Sequence, residues 1–267
     1  MGLDRRAPDA AAGGGVVSVD GAVRFARFAV PPNQRGFCGP AREGELAAYR
    51  AEELRVDAGL HELASGFEGA WPYLELLAGA AGVDDPLDDR VVQAYWIGND
   101  LCSRVTHNDW GWHLVDRFGP RAGGDVDRLT ARVGNGAVPH HSFHVFCVYP
   151  WVGLLREGLG GVEPLRILGQ CHVSWATVIG RNGDDLLVEG PELTWDGHAL
   201  ALGATERRVA WLDPRLVRLG HEIEDGSVVA IHWNEVVDVL DHGQQRWLER
   251  LTRSQIEVAN DLGVPVL

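Results

Sequence analysis

Positive charge is scarce in this sequence. Across 267 residues, 24 basic side chains face 38 aspartates and glutamates, a formal net charge of −14. Phosphate recognition needs a basic footprint, so nucleic acid is excluded as a partner. Long apolar runs are missing too. None approaches the ~20 residues that span a bilayer, and the opening MGLDRRAPDAAAGGG holds no apolar core of a secretory signal. These absences predict a cytoplasmic chain with no membrane partner. Cysteine is limited to Cys38, Cys102, Cys147 and Cys171, widely spaced and without a CxxC pair. That predicts free thiols, not a disulfide framework or a zinc knuckle. No G-x-S-x-G elbow, no P-loop and no G-x-G-x-x-G between a strand and a helix occurs, which sets aside the chemistries those loops serve.

What is present is globular in composition, 45% apolar and 23% charged, and long enough for one large domain or two small ones. Residues 1–20, rich in Ala, Gly and Asp without periodicity, predict a flexible tail. From 21 to 160 the apolar period is helical. In DAGLHELASGFEGAWPYLELLAGAAG, Leu60, Leu63, Ala64, Phe67, Trp71, Leu74, Leu77, Ala78 and Ala81 form a stripe behind Asp57 as N-cap. Pro72 removes the bond to the Glu68 carbonyl and predicts a kink, eased by Gly69. A second helix is expected to open at Asp85-Pro86 and bury Leu87, Val91, Tyr95, Leu101 and Val105, with Cys102 beside that stripe. HHSFHVFCVYPWVGLL reads as a third helical segment. Beyond Gly160 the period falls to two. A strand is expected directly after Cys171-His172, with others near 186–188, 207–211, 227–233 and 236–240, separated by Asn182-Gly183, Asp196-Gly197 and Asp225-Gly226 turns. An amphipathic helix carrying Trp247, Leu248, Leu251, Ile256 and Val258 follows. The expected fold class is α+β: a mostly α-helical domain over 21–160, then a small β-barrel with a C-terminal helix over 165–267.

Reactive side chains gather at four places. Cys171 and His172 head the first strand; a thiolate there is a soft ligand, and the alternative is a small buried hydrophobe. His232 ends the apolar strand Val228–Ile231, as a hydrogen-bonded structural residue or a functional one. His140, His141 and His144 precede Cys147, and helical spacing i, i+4, i+7 puts His140, His144 and Cys147 on one face. Glu68 and Glu75, seven apart, could add a carboxylate for a metal or haem site, or the histidines pack in the core. Cys38 sits in NQRGFCGP between Gly36 and Gly39-Pro40, where glycine lets backbone approach a ligand or simply punctuates a loop. Cys102 is expected in the core.

Two stretches, CHVSWATVIGRNG from Cys171 and GSVVAIHWNEVVDVLD from Gly226, carry a resemblance. Their order of cysteine, strand, Asn-Gly turn, Val-rich strand ending in histidine, second strand, Leu-Asp and helix resembles the HypC/HupF family of hydrogenase-maturation chaperones over roughly residues 170–260. The resemblance implies an OB-like β-barrel. It places Cys171 at the family's cysteine and His232 at its histidine, with His172 nearby as hydrogen-bond partner or second ligand. It implies an iron cargo bearing cyanide and carbon monoxide, handed among maturation proteins toward the large subunit of a nickel-iron hydrogenase, with no turnover by this chain. The sequence departs from the family in three respects. Cys171 lies inside the chain, Trp175-Ala176 stand where Pro-Gly is usual, and PELTWDGHALALG lengthens the barrel. The whole chain also resembles a group of uncharacterised actinobacterial proteins through FEGAWPYLEL, HHSFHVF and TWDG. The alternative function is a metal- or haem-dependent enzyme or sensor whose site is His140, His144 and Cys147 in the helical half.

Overall fold

A computed structural model describes residues 20–51, 57–122, 126–216 and 223–261. The tail expected over residues 1–20 lies outside them except for Asp20, which caps the first helix by accepting from the Ala22 N–H at 2.9 Å. That helix, α1 (Gly21–Asn33), is buried along its whole length and is the axis of the helical half. Around it lie α2 (Glu43–Ala51), α3 (Ala58–Ser65), α4 (Trp71–Ala81), α5 (Asp89–Trp96), α6 (His107–Ala122) and α7 (Val126–Gly134). Asp57 caps α3 as expected, accepting from Gly59 and Leu60.

Three helical expectations are corrected. Pro72 does not kink a long helix: α3 ends at Ser65, and Pro72 sits in the first turn of α4, where its missing N–H costs nothing. The second helix opens at Asp89 behind Asp88, not at Asp85-Pro86, and stops at Trp96. Gly98 is the reason for the stop, since its φ of +101° cannot continue a right-handed helix, and a Cβ there would meet a Leu251 methyl at 2.5 Å. Leu101 therefore belongs to a separate 3₁₀ turn, Asp100–Ser103. HHSFHVFCV is not one α-helix: a single turn, α8 (His141–Phe143), passes into a π-helical turn over His144–Val148. After α9 (Trp151–Arg156) comes α10 (Glu163–Cys171), with Pro164, Ile167, Leu168 and Cys171 as its buried stripe.

The chain then turns extended. Strands β1 (Ser174–Asn182), β2 (Asp185–Trp195), β3 (Leu200–Ala210), β4 (Val228–His232) and β5 (Glu235–Leu240) form one antiparallel sheet in the order β3-β2-β1-β4-β5. PELTWDGHALALG is the far end of the β2–β3 hairpin, with Asp196 accepting from the N–H groups of His198 and Ala199. The sheet curls but does not close. Its edges meet at one parallel bridge, Trp211 to Glu235, so the expected small barrel is an open one. Within the curl, Ala176, Val178, Leu186, Val188, Val229, Ile231 and Val236 form a small core. Trp175, Ala230 and Val237 instead join the large core shared with the helices. Both faces of β4 are covered, which is why its first four residues, VVAI, are all apolar. The last helix, α11 (His242–Asp261), bridges the halves, and Asn260 clamps it to β3 by exchanging two 2.9 Å hydrogen bonds with the Leu200 backbone. No described helix is long and apolar enough to cross a membrane.

An ionic seam fixes the helices on the sheet. Arg24 of α1 reaches Asp238 of β5 at 3.2 Å and Asp89 at 2.6 Å. Arg50 of α2, fully buried, reaches Glu235 at 2.6 Å and Asp213 at 3.3 Å. Arg35 adds a 2.7 Å bond to Glu235. Buried charges persist only when paired, so this seam sets the register of helix against strand.

Candidate metal centre

Cys171 and His172 do not begin a strand. The Glu163-Pro164 start and helical stripe of α10 carry the helix through Cys171, and β1 begins at Ser174. Cys171 thus sits on the buried face of a helix end. There it meets His232, the last residue of β4, and His141, the first of α8. One ligand atom from each lies within 4.8 Å of the others, and all three residues are buried. The structure gathers two of the expected donors, Cys171 and His232, and supplies His141 where His172 was expected.

Hydrogen bonds orient the donors. His232 Nδ1 lies 2.7 Å from the Phe28 carbonyl. A carbonyl only accepts, so Nδ1 carries the proton and Nε2 keeps a bare lone pair; that Nε2 is buried without a protein partner. His141 Nε2 lies 2.8 Å from the Cys171 carbonyl and Nδ1 lies 3.2 Å from the Tyr95 hydroxyl, which also donates to the Gly69 carbonyl at 3.1 Å. Tyr95 has one proton for two acceptors in this arrangement. The Cys171 carbonyl can only accept, so His141 Nε2 carries the proton and donates to it, and the lone pair lies on Nδ1, which shares the single Tyr95 proton with the Gly69 carbonyl. Metal-bound imidazoles are commonly held in this way.

Charge states follow from burial. It pushes His141 down to about 4 and His232 well below its ordinary value, so both are neutral and ligand-competent at neutral pH. Burial pushes the Cys171 thiol up, the nearby Cys38 adds to this, and the Trp233 indole opposes it. Binding an ion there would release the thiol proton.

The three side chains open on a mostly apolar cavity of about 240 Å³ that Phe37, Cys38, Tyr149 and Ile167 also line. Its neighbour Trp233 is strained. Trp233 and Asn234 have φ of +54° and +62° in the two-residue turn between β4 and β5. Such a turn requires left-handed backbone at both positions, which suits Asn and is costly for Trp. Trp233 is held there by its N–H bond to the Gln170 carbonyl, 2.9 Å, and by its ring contact with Phe37 at 4.2 Å.

The other expected site residues lie elsewhere. His172 turns away, its Nδ1 on the Leu168 carbonyl at 3.1 Å, and lines a separate cavity of about 360 Å³ with Ser174 and Arg208. The set His140, His144 and Cys147 is not gathered. His140 lies outside the helix as its N-cap, with Nδ1 accepting from Ser142 N–H at 3.1 Å. His144 Nδ1 faces the Tyr73 hydroxyl at 3.0 Å, and Cys147, beyond the start of the π turn, faces the Gln255 carbonyl at 3.9 Å. The wider turn breaks the i, i+7 alignment that an α-helix would give. Glu75 is exposed and engaged by Trp71 and Arg117. Cys102 is a core thiol donating to the Ala94 carbonyl, as expected.

His141 was visible in the histidine-rich stretch, but nothing in its spacing ties it to Cys171 or His232. Comparison with known proteins places the whole chain in one group. It belongs to the family of unknown function DUF6390, whose model matches residues 17–264. No curated protein and no solved structure matches it.

Proposed function

We propose that this chain is a cytoplasmic metal-binding accessory protein in which Cys171, His141 and His232 hold a transition-metal ion, and that the ion is iron bearing cyanide and carbon monoxide, in transit among hydrogenase-maturation proteins. The observation that carries the metal site is the convergence of three buried donors from α8, α10 and β4, one of them with an unpartnered lone pair. A thiol and two neutral imidazoles suit soft to borderline metals such as iron or zinc. Three protein donors beside a small apolar cavity suit an ion that keeps positions open for other ligands. The iron cargo and the maturation partners rest on the resemblance of Cys171 and His232 to the HypC/HupF pattern. In this reading Cys171 gives up its proton to bind. His232 is oriented by the Phe28 carbonyl and His141 by the Cys171 carbonyl, and the apolar walls exclude water.

Infrared spectroscopy with iron analysis on protein purified anaerobically from its native host, wild type against Cys171→Ser, tests the proposal. Cyanide and carbonyl stretching bands that disappear in the variant are the expected result. Metal without such bands would retain the site and remove the maturation role. A metal-free wild type that takes up no added iron or zinc would remove both.

A further inference from the structure

Cys38 lines the same cavity as Cys171, His141 and His232, and the three-donor site leaves it unused. It lies outside the tight cluster of ligand atoms, on the loop between α1 and α2. Several contacts hold that loop at the cavity. The buried Asn33 amide donates to the carbonyls of both Cys38 and Pro40 at 2.9 Å. Gly36 and Gly39 take φ of +70° and +84°, and a Cβ on Gly39 would sit 2.4 Å from the Phe67 ring. Phe37 packs on the strained Trp233. Burying an asparagine and fixing two left-handed glycines to place one half-exposed cysteine is a costly arrangement unless the thiol is used.

The geometry points to Cys38 as a second thiolate ligand, which joins Cys171, His141 and His232 on a bound divalent transition-metal ion and completes a Cys2His2 donor set from the cavity mouth. This inference rests on the three-donor site described above and extends it. Cys171 is buried, whereas Cys38 is partly exposed, so an incoming ligand from a partner meets Cys38 first. Where cyanide and carbonyl already occupy positions on iron, fewer protein positions remain, and Cys38 then exchanges with an imidazole. Each thiol loses one proton on binding, and no electron moves.

The test is a Co²⁺ titration of the reduced, full-length protein without oxygen. It reads the sulfur-to-cobalt charge-transfer band, whose intensity grows with the number of thiolates. Wild type should show about twice the intensity per bound ion of Cys38→Ser. The variant should also bind more weakly, by at least the roughly tenfold loss that disturbing even an outer-shell partner causes. Equal intensity and affinity in Cys38→Ser would overturn the ligand role of Cys38 and leave the three-donor site standing. No charge-transfer band in wild type would overturn both. Alkylation of unmutated protein with iodoacetamide gives a check free of folding effects: Cys38 should become protected when Co²⁺ is added, and undiminished labelling would count against it.

Discussion

His140, His144 and Cys147 fall within one octapeptide and yet reach three different surroundings: a helix cap, the Tyr73 hydroxyl and the α11 backbone. His141, Cys171 and His232 are spread over about a third of the chain and yet converge within 4.8 Å. The first set depended on one periodicity continuing, and a cap residue plus a π-helical turn was enough to disperse it. The second set depends on no local period. It depends on three element ends, of α8, α10 and β4, being held against one another by the large core. Closeness along a chain predicts a site only as well as the secondary structure between the residues is known.

The largest expected effect falls on the arginine seam that holds α1 and α2 on β5. Glu235→Ala leaves the guanidinium of Arg50, whose side chain is 0% exposed, without its 2.6 Å partner. The expected cost is about 3–5 kcal/mol of stability in urea unfolding; a loss under about 1 kcal/mol would mean that water reaches the seam. Next in size is the direct contrast between the two sets. His232→Ala should weaken binding of added Zn²⁺ or Co²⁺ by more than about a hundredfold, or roughly 2.7 kcal/mol, while His144→Ala leaves that affinity unchanged and lowers only the melting temperature. The opposite ranking would return the search to the helical set. Tyr95→Phe is subtler. It removes the hydroxyl that competes for the His141 Nδ1 lone pair, and metal affinity should rise by up to about tenfold with little change of fold; an unchanged affinity would mean that Nδ1 is not the ligand atom.

The smallest effect per residue is on acid stability. Burial pushes His140 and His144 down to about 3 and His141 and His172 down to about 4. The unfolded chain takes up these protons near pH 6.5 and the folded chain does not, so stability present above that pH is lost as it falls toward the folded values. Each histidine adds at most about 1.4 kcal/mol per pH unit across that window. His144→Gln should therefore reduce the slope of stability between pH 6 and 4.5 by about one proton; an unchanged slope would show that His144 is not held neutral.

Much of the architecture was legible. Capping at Asp57, the Asn-Gly and Asp-Gly turns, the period-two strands and the amphipathic last helix all express local rules, and each is found. The failures occurred where a local rule met a neighbour. Pro72 could break a helix or begin one, and the Phe67–Ala70 turn decides. Leu101 continued an apolar stripe on paper, but Gly98 packs on Leu251 and ends the helix. In EPLRILGQC the alternation that follows masks the helical stripe, so local pattern alone puts Cys171 at a strand start rather than at the end of α10. Of the site, Cys171 and His232 were legible through resemblance, whereas His141 depended on a crossing of α8 and α10 that no local pattern encodes.

The wide separation of the three donors has a consequence for biosynthesis. His141 leaves the ribosome first, Cys171 next and His232 last, and the Trp233-Asn234 hairpin that seats His232 forms only when β5 follows it. A nascent or partly folded chain therefore lacks the donor set, and stray metal finds single thiols and imidazoles instead of a centre. Contacts of such long range form late and slowly. Under the proposed function, ion uptake would report completed folding, and only finished molecules would bind.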